Sequence, residues 1–461
     1  MTGQLTPQRR SVSRLAISIL VVLTGTLVQV HVAGAAIRRA FVGRFGSLKA
    51  LGVMAMLITT MAVIPATASG ATSTPKSTWT QLSPVSSPPG RSQTSLAYDP
   101  RMHRLVLFGG TATNGGFGPN DTWTWNGTTW SQLSPSTSPP AVFWPSMAYD
   151  GASGQLLLFG GYASLVYFND TWAWNGTTWT QLSPTNSPPG RENATMAYDA
   201  ATKQLVLFGG QASSGFLDDT WTWDGTTWTE QSPTASPPAE QYGAMAFDPH
   251  TGQLLYVDGG GNTWNWNGAT WMLLAPAARP TAPRFAPALA YDAGTGQLAL
   301  FGGFTLTGNL NDTWTWNGTT WSEHAPITNP PGFNGGFPTL ADDPAADQLI
   351  LVGFSSVEES WLYTAVPNRP SIGVATAGNA QASVAFSPPK FDGGSPVTSY
   401  KVTATDLTNS ARGGQTKRGS TSPVVVKGLT HGDSYTFRAA ATNVVGTGYR
   451  SASSNAVVPK A

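Results

Sequence analysis

The stretch that decides the fold is Leu156-Leu157-Leu158-Phe159-Gly160-Gly161, followed by Asn169-Asp170-Thr171-Trp172-Ala173-Trp174-Asn175-Gly176-Thr177-Thr178-Trp179. An apolar run stops at a glycine pair, and a variable segment follows. A Trp-x-Trp strand then turns at Asn-Gly into a further strand carrying Trp. Residues i and i+2 of a strand share a face, so Trp172 and Trp174 point together. The pattern returns along the chain. The glycine pair opens at Gly109, Gly160, Gly209, Gly259 and Gly302, and a degraded copy reads Leu351-Val352-Gly353-Phe354. The spacings are 51, 49, 50, 43 and 51. A period near 50 residues marks an array of units that bury their faces on one another.

Each unit divides into four strands. The first ends at Tyr98-Asp99, Tyr149-Asp150, Tyr198-Asp199, Phe247-Asp248, Tyr291-Asp292 or Asp342-Asp343. An Asp-led turn leads into the apolar second strand. The third is the Trp-x-Trp segment. Asn126-Gly127, Asn175-Gly176, Asp224-Gly225, Asn267-Gly268 and Asn317-Gly318 predict two-residue type I′ turns, whose central residues need positive φ. The fourth strand carries Trp130, Trp179, Trp228, Trp271 or Trp321, and a Pro-rich connector ends it. The sixth unit stops at Trp361 and Tyr363 without a fourth strand, while Ser77–Pro84 nearly copies Thr177–Pro184. That orphan strand completes the count. The expectation is an all-β chain whose six four-stranded sheets form a ring closed by its own ends.

These residues resemble the Kelch-repeat β-propellers, including the galactose-oxidase-like ones. The resemblance rests on the glycine pair, the spaced aromatics of the third strand and the Trp of the fourth. Copy four departs through its short Gly259-Gly260-Gly261-Asn262 link, and copy six lacks the pair. In Kelch adaptors, Arg at comparable positions contacts acidic partners, so the resemblance makes Arg91, Arg191 and Arg284 candidates. Galactose oxidase chemistry needs a Cys-modified Tyr and copper-binding His, and this chain has no Cys. No cofactor or metal site is expected.

Composition shifts after Tyr363: all 18 Trp lie between Trp79 and Trp361. Residues 365–369 read as a linker. Residues 370–461 carry alternating strands at Ala382–Phe386, Val397–Val402, Pro423–Leu429 and Tyr435–Ala441. The spacing Leu429-x-x-Gly432-x-x-Tyr435 looks like the tyrosine corner of Ig-like sandwiches. With Asn443-Val444-Val445-Gly446, it resembles a fibronectin type III domain, Phe386 standing where that family usually has Trp.

Residues 1–75 hold seven bases and no acid. Two apolar runs follow the basic clusters, Leu15–Ala36 and Ala50–Val63, and Ala66-Thr67-Ala68 follows the second. A basic region, a short apolar stretch and an Ala-x-Ala site form a secretory signal. The first run is long enough to span a bilayer. Either translation begins near Val42, or a long leader anchors the protein. Both readings place the remainder outside the cytoplasm, secreted or at the cell surface. The chain as a whole has net charge +1. Residues 76–369, with 9 bases and 21 acids, carry −12, and residues 370–461, with 9 bases and 3 acids, carry +6. An acidic propeller does not suit nucleic acid.

Catalytic sets are missing from the sequence. The sialidase box, an Arg triad, Gly-x-Ser-x-Gly and phosphate loops are absent. Variable connectors enter the first strand and join the second to the third, and both sets should emerge on one rim. Binding residues gather on such loops. The candidates are Arg91, Phe117, Phe143, Trp144, Tyr162, Tyr167, Phe168, Arg191, Phe216, Tyr242, Arg284, Phe304 and Phe333. The Asp that precedes each Trp-x-Trp should accept N–H bonds in its turn. The expected function is a monomeric binding protein whose rim takes a glycan or an extracellular protein, the type III domain serving as spacer or adhesive module. A carbohydrate-active enzyme or accessory module and a surface structural protein are the alternatives, and a glycosidase would need two carboxylates across a cleft.

Overall fold

The computed structural model describes residues 17–23, 26–32, 77–112, 119–281, 283–333, 337–354 and 358–460. The chain divides into Met1–Thr72 and Ser73–Ala461. In the first unit, Ile17–Leu23 pairs antiparallel with Thr26–Val32. The rest of the expected leader, with the second apolar run and Ala66-Thr67-Ala68, lies outside the described residues. No helix among the described residues is long and apolar enough to cross a membrane.

Among its described residues, the second unit is all-β apart from one 3-10 turn at Ser410–Arg412. Among the described residues, six four-stranded antiparallel sheets follow the repeat. The second, for example, runs Ser146–Asp150, Gln155–Phe159, Thr171–Trp174, Trp179–Leu182 from its innermost to its outermost strand. The innermost strands contact one another in chain order, and that of the sixth sheet returns to that of the first. In the sixth sheet the outermost strand is Ser77–Gln81, paired with Glu358–Ala365 in the register Ser77↔Ala365 to Gln81↔Trp361. Pairing the two ends of the array in one sheet leaves no open edge where the ring closes.

The tryptophans hold neighbouring sheets together. Trp172, Trp174 and Trp179 of the second sheet pack on Val106 and Phe108 of the first. Burying a Trp removes about 150–250 Å² from water, worth roughly 4–6 kcal/mol as an upper bound. Each outermost Trp also spends its indole N–H on the preceding sheet. Trp130 Nε1 donates to Ser360 Oγ, Trp179 to Thr122 Oγ1, Trp228 to Thr171, Trp271 to Thr220, Trp321 to Thr263 and Trp79 to Thr313, all within 2.8–3.1 Å.

The Asp-led turns are present: Asp99, Asp150 and Asp199 each accept the N–H two residues on at 2.9 Å. The Asn-Gly turns differ from the type I′ expectation. Trp125 pairs with Trp130, so the loop has four residues. Only Gly127 of that loop takes a positive φ, 92°. Asn126 Oδ1 accepts the N–H groups of Thr128 and Thr129 at 3.0 and 2.9 Å. The side chain thus closes the turn that a second left-handed residue would otherwise form.

Beyond Ala365 lies a two-sheet sandwich. One sheet contains Ser371–Gly378, Gln381–Ser387 and Val424–Lys427, and the other Ser399–Asp406, Thr416–Gly419 and Tyr435–Thr442. The strands at Ser371–Gly378 and Thr416–Gly419 are additional to those expected from the sequence. Val384, Phe386, Val402, Leu429, Tyr435 and Phe437 fill the core. The Tyr435 hydroxyl accepts from Thr430 N at 3.1 Å, which is the tyrosine corner. Short contacts join sandwich and propeller. Ala365 N donates to Gly393 O at 2.7 Å, Gly393 N to Gly294 O at 2.8 Å, and Asn443 Nδ2 to Ala365 O at 2.6 Å.

Candidate functional site

The glycine pair shapes one rim of the propeller. Gly160 and Gly161 adopt φ of 70° and 102°. A Cβ on Gly160 would lie 2.5 Å from Arg191 O, so only glycine admits the neighbouring connector. That connector pairs with the hairpin leaving the glycines. The bridges are Phe143↔Tyr162, Glu192↔Gln211 and Phe285↔Phe304, with Arg91–Ser92 on Thr111–Ala112 in the first sheet. Both variable segments therefore meet on the same rim.

The three candidate arginines are not surface contacts. Arg91, Arg191 and Arg284 are 2%, 1% and 0% exposed. Arg191 holds Asp219 through Nη1 at 2.6 Å and Nη2 at 2.7 Å, and donates to Gly209 O at 3.0 Å. Arg91 grips Asp121 in the same way, and Arg284 grips Asp312. The second oxygen of each carboxylate takes the indole N–H of the first Trp of its Trp-x-Trp pair, at 2.6–2.7 Å. These Asp residues thus accept mainly from guanidinium and indole rather than from the turn. Burial pushes the Asp219 and Asp312 carboxyls up, but the bonds and charge of Arg191 and Arg284 outweigh it and hold them below the usual range. The sequence patterns for Arg and Asp are visible separately, but only the fold pairs them.

Two more candidates move. Phe333 is 3% exposed and packs on Phe301 inside the ring, so it belongs to the core. Phe168 is half-buried against the core between the first and second sheets. Phe216 stands free at 56% exposure, and Phe117 lies outside the described residues.

The remaining aromatics converge. Tyr167 lies 4.7 Å from Tyr162, Tyr162 5.3 Å from Phe143, and Phe143 5.4 Å from Trp144 by ring centroids. Trp144 meets Phe337 edge-on at 5.3 Å. Phe337 stacks on Tyr242 at 5.8 Å and 10°, and Phe304 touches both. Phe285 joins Phe304 at 5.5 Å. Trp144, Tyr242 and Phe337 each stand two residues before an innermost strand, in the second, fourth and sixth sheets. Their backbone forms an inner ring: Trp144 N donates to Gln93 O and Asn193 N to Trp144 O at 2.9 Å, and Ala286 N to Tyr242 O at 2.8 Å. Gln93, Trp144, Asn193 and Ala286 take φ of 64°, 55°, 52° and 49° there. Non-glycine residues persist in that region only where the surroundings fix them.

Carboxyl groups sit among these rings. Glu192 is 6% exposed, and burial pushes its carboxyl up to about 7. Burial, and after it the Glu192 charge, raises the Tyr167 and Tyr242 phenols. Glu240 occupies the register position of the arginines. It takes the Tyr256 hydroxyl and Gly259 N, and burial pushes it up to about 7. Neither glutamate is among the residues expected from the sequence, nor are Phe285 and Phe337. Phe337-Pro338 aligns with Trp144-Pro145, which is a usable signal.

Comparison with known families agrees with this architecture. The KLHDC2/KLHL20/DRC7 Kelch-repeats domain matches residues 102–273, and the fibronectin type III domain matches residues 367–457. No curated protein matches the chain. The chain thus carries a Kelch-repeat β-propeller followed by a fibronectin type III domain.

Proposed function

We propose that this protein is an interaction module whose aromatic rim binds a partner protein, with the type III sandwich as a spacer. The observation that carries the reading is the convergence of Trp144, Tyr242, Phe304 and Phe337, from four different sheets, on one rim. Aromatic side chains offer large contact area and few rotamers, and they dominate interface energetics. Kelch and type III domains both suit protein interaction. The basic, apolar leader with Ala66-Thr67-Ala68 supports an exported protein, and the partner is then extracellular.

Pull-down from an extract of extracellular proteins, with a glycan array in parallel, tests this on the purified chain. The expected result is a captured protein that is lost in Trp144→Ser and Tyr242→Ser, while Phe216→Ser, outside the cluster, has a smaller effect. Glycan retention without a protein, or capture indifferent to both rim variants, would overturn the reading.

A further inference from the structure

We propose that the rim seats a cationic side chain, the guanidinium or ammonium of an arginine or lysine in the partner protein, on the Glu192 carboxylate between Tyr167 and Tyr242. This rests on the rim reading and names the chemistry it recognises.

Glu192 stands apart from the other acids of this rim. Asp121, Asp219 and Asp312 hold arginines, and Asp170 takes the Gln181 amide at 2.9 Å. Asp258 takes the Trp264 indole and the Asn262 amide, both at 2.9 Å. Glu240 takes a phenol and a backbone N–H. Glu192 is more than nine-tenths buried, and its Oε2 finds no donor among the described residues. A buried carboxyl oxygen without a donor is costly, and most such atoms in native proteins find a protein or water partner, so Oε2 has room for a donor that the described residues do not supply.

Four arginines of the propeller are engaged elsewhere. Three are committed to aspartates, and Arg279 donates to Asn262 Oδ1 at 2.7 Å. The flanking groups select an organic cation. Arg191 N donates to Phe168 O at 3.1 Å, which sets the Tyr167 strand beside Glu192. Gln211 N on Glu192 O and Gly210 N on Glu240 O, both at 2.9 Å, bring the connector that carries Tyr242 alongside. Aromatic rings attract cations. A hard metal ion would need several oxygen ligands, and one carboxylate among aromatics supplies too few. A neutral hydroxyl would satisfy a lone pair but not the charge. With −12 over residues 76–369, the propeller as a whole attracts cations.

The test is fluorescence anisotropy of the full chain with labelled tetra-arginine amide and its neutral isostere tetra-citrulline amide, at about 150 mM salt. Tetra-arginine should bind at least about tenfold tighter, and Glu192→Gln should abolish most of that difference. Glu230→Gln removes an exposed charge on an outermost strand and should change affinity less than about twofold. Equal binding of the two peptides to the wild type, no binding of either, or equal losses in both variants would overturn the proposal. The peptide comparison on the wild type needs no variant to fold. If it fails while Trp144→Ser still abolishes partner capture, the rim reading stands and only the cation is lost.

Discussion

The Trp79 indole N–H donates to Thr313 Oγ1 at 2.9 Å across 234 residues of chain. It repeats the bond each outermost Trp makes to the preceding sheet, so the first strand of the propeller is a full member of the last sheet. Trp79→Phe keeps an aromatic filler and loses the bond. It should cost about 1–3 kcal/mol, mostly through the Thr313 hydroxyl left unpaired in a dry interface. Trp179→Phe, mid-array, should cost the same within error. Chemical denaturation of both variants checks this. A Trp79 variant with wild-type stability beside a destabilised Trp179 variant would show that the ring is not closed by this strand.

The Arg191–Asp219 pair lies inside the rim, and Trp221 binds the same carboxylate at 2.7 Å. Removing one partner strands a buried charge, so Arg191→Met should cost about 3–5 kcal/mol. Arg191→Met with Asp219→Leu removes both charges and should recover at least half of that. Thermal unfolding of singles and double gives the coupling directly. Additive losses would mean that the pair acts through packing alone.

Much of this architecture is legible because repetition turns weak local signals into strong ones. One Gly-Gly or one Trp-x-Trp says little, but their recurrence in register fixes strand order and closure. The turn type is not legible, because Asn126 satisfies the loop with its side chain, an option that the Asn-Gly dipeptide does not reveal. The site is less legible for a related reason. Arg91, Arg191 and Arg284 repeat with the sheets, and repetition signals architecture for them as it does for Trp. Glu192 occurs once, at a position that reads Ser92, Phe143, Gln241 and Phe285 in other sheets. What sets it apart is an oxygen left without a donor, which only the folded arrangement shows.

Propeller and sandwich are locked by backbone contact. A Cβ on Gly448 would lie 1.8 Å from Pro367 O, and Asn443 Nδ2 ties Ala365 O and Asp392 O at 2.6 and 2.9 Å. Asn443→Ala should loosen the joint at a cost of about 1–3 kcal/mol while leaving each core intact. Gly448→Ala should do more, since backbone must shift. Limited proteolysis should then cut at residues 364–370, and small-angle scattering should show a wider distribution of shapes. Unchanged protection of that segment in Gly448→Ala would mean that other contacts fix the joint.

Asp342 stands where the other innermost strands carry Tyr98, Tyr149, Tyr198, Phe247 and Tyr291. Burial pushes its carboxyl up to about 8, and Asp292, Asp347 and Asp343 add to the rise, against the Ala293 N–H that lowers it. Asp292 is itself raised by burial to about 6. Between roughly pH 4 and pH 8 the native protein therefore holds a proton on Asp342 that the unfolded chain releases. Stability from this group falls as pH rises through that window, because the native state binds more protons. Asp342→Asn keeps an acceptor for Ala293 N and removes the titration. The variant should gain about 2–4 kcal/mol over wild type at pH 8, since a tenfold change in proton affinity is worth about 1.4 kcal/mol before the coupled acids relax. The gain should shrink toward zero near pH 4. Melting curves of both proteins from about pH 4 to pH 8 measure the difference, and a gap that stays constant across that range would show that Asp342 does not carry it.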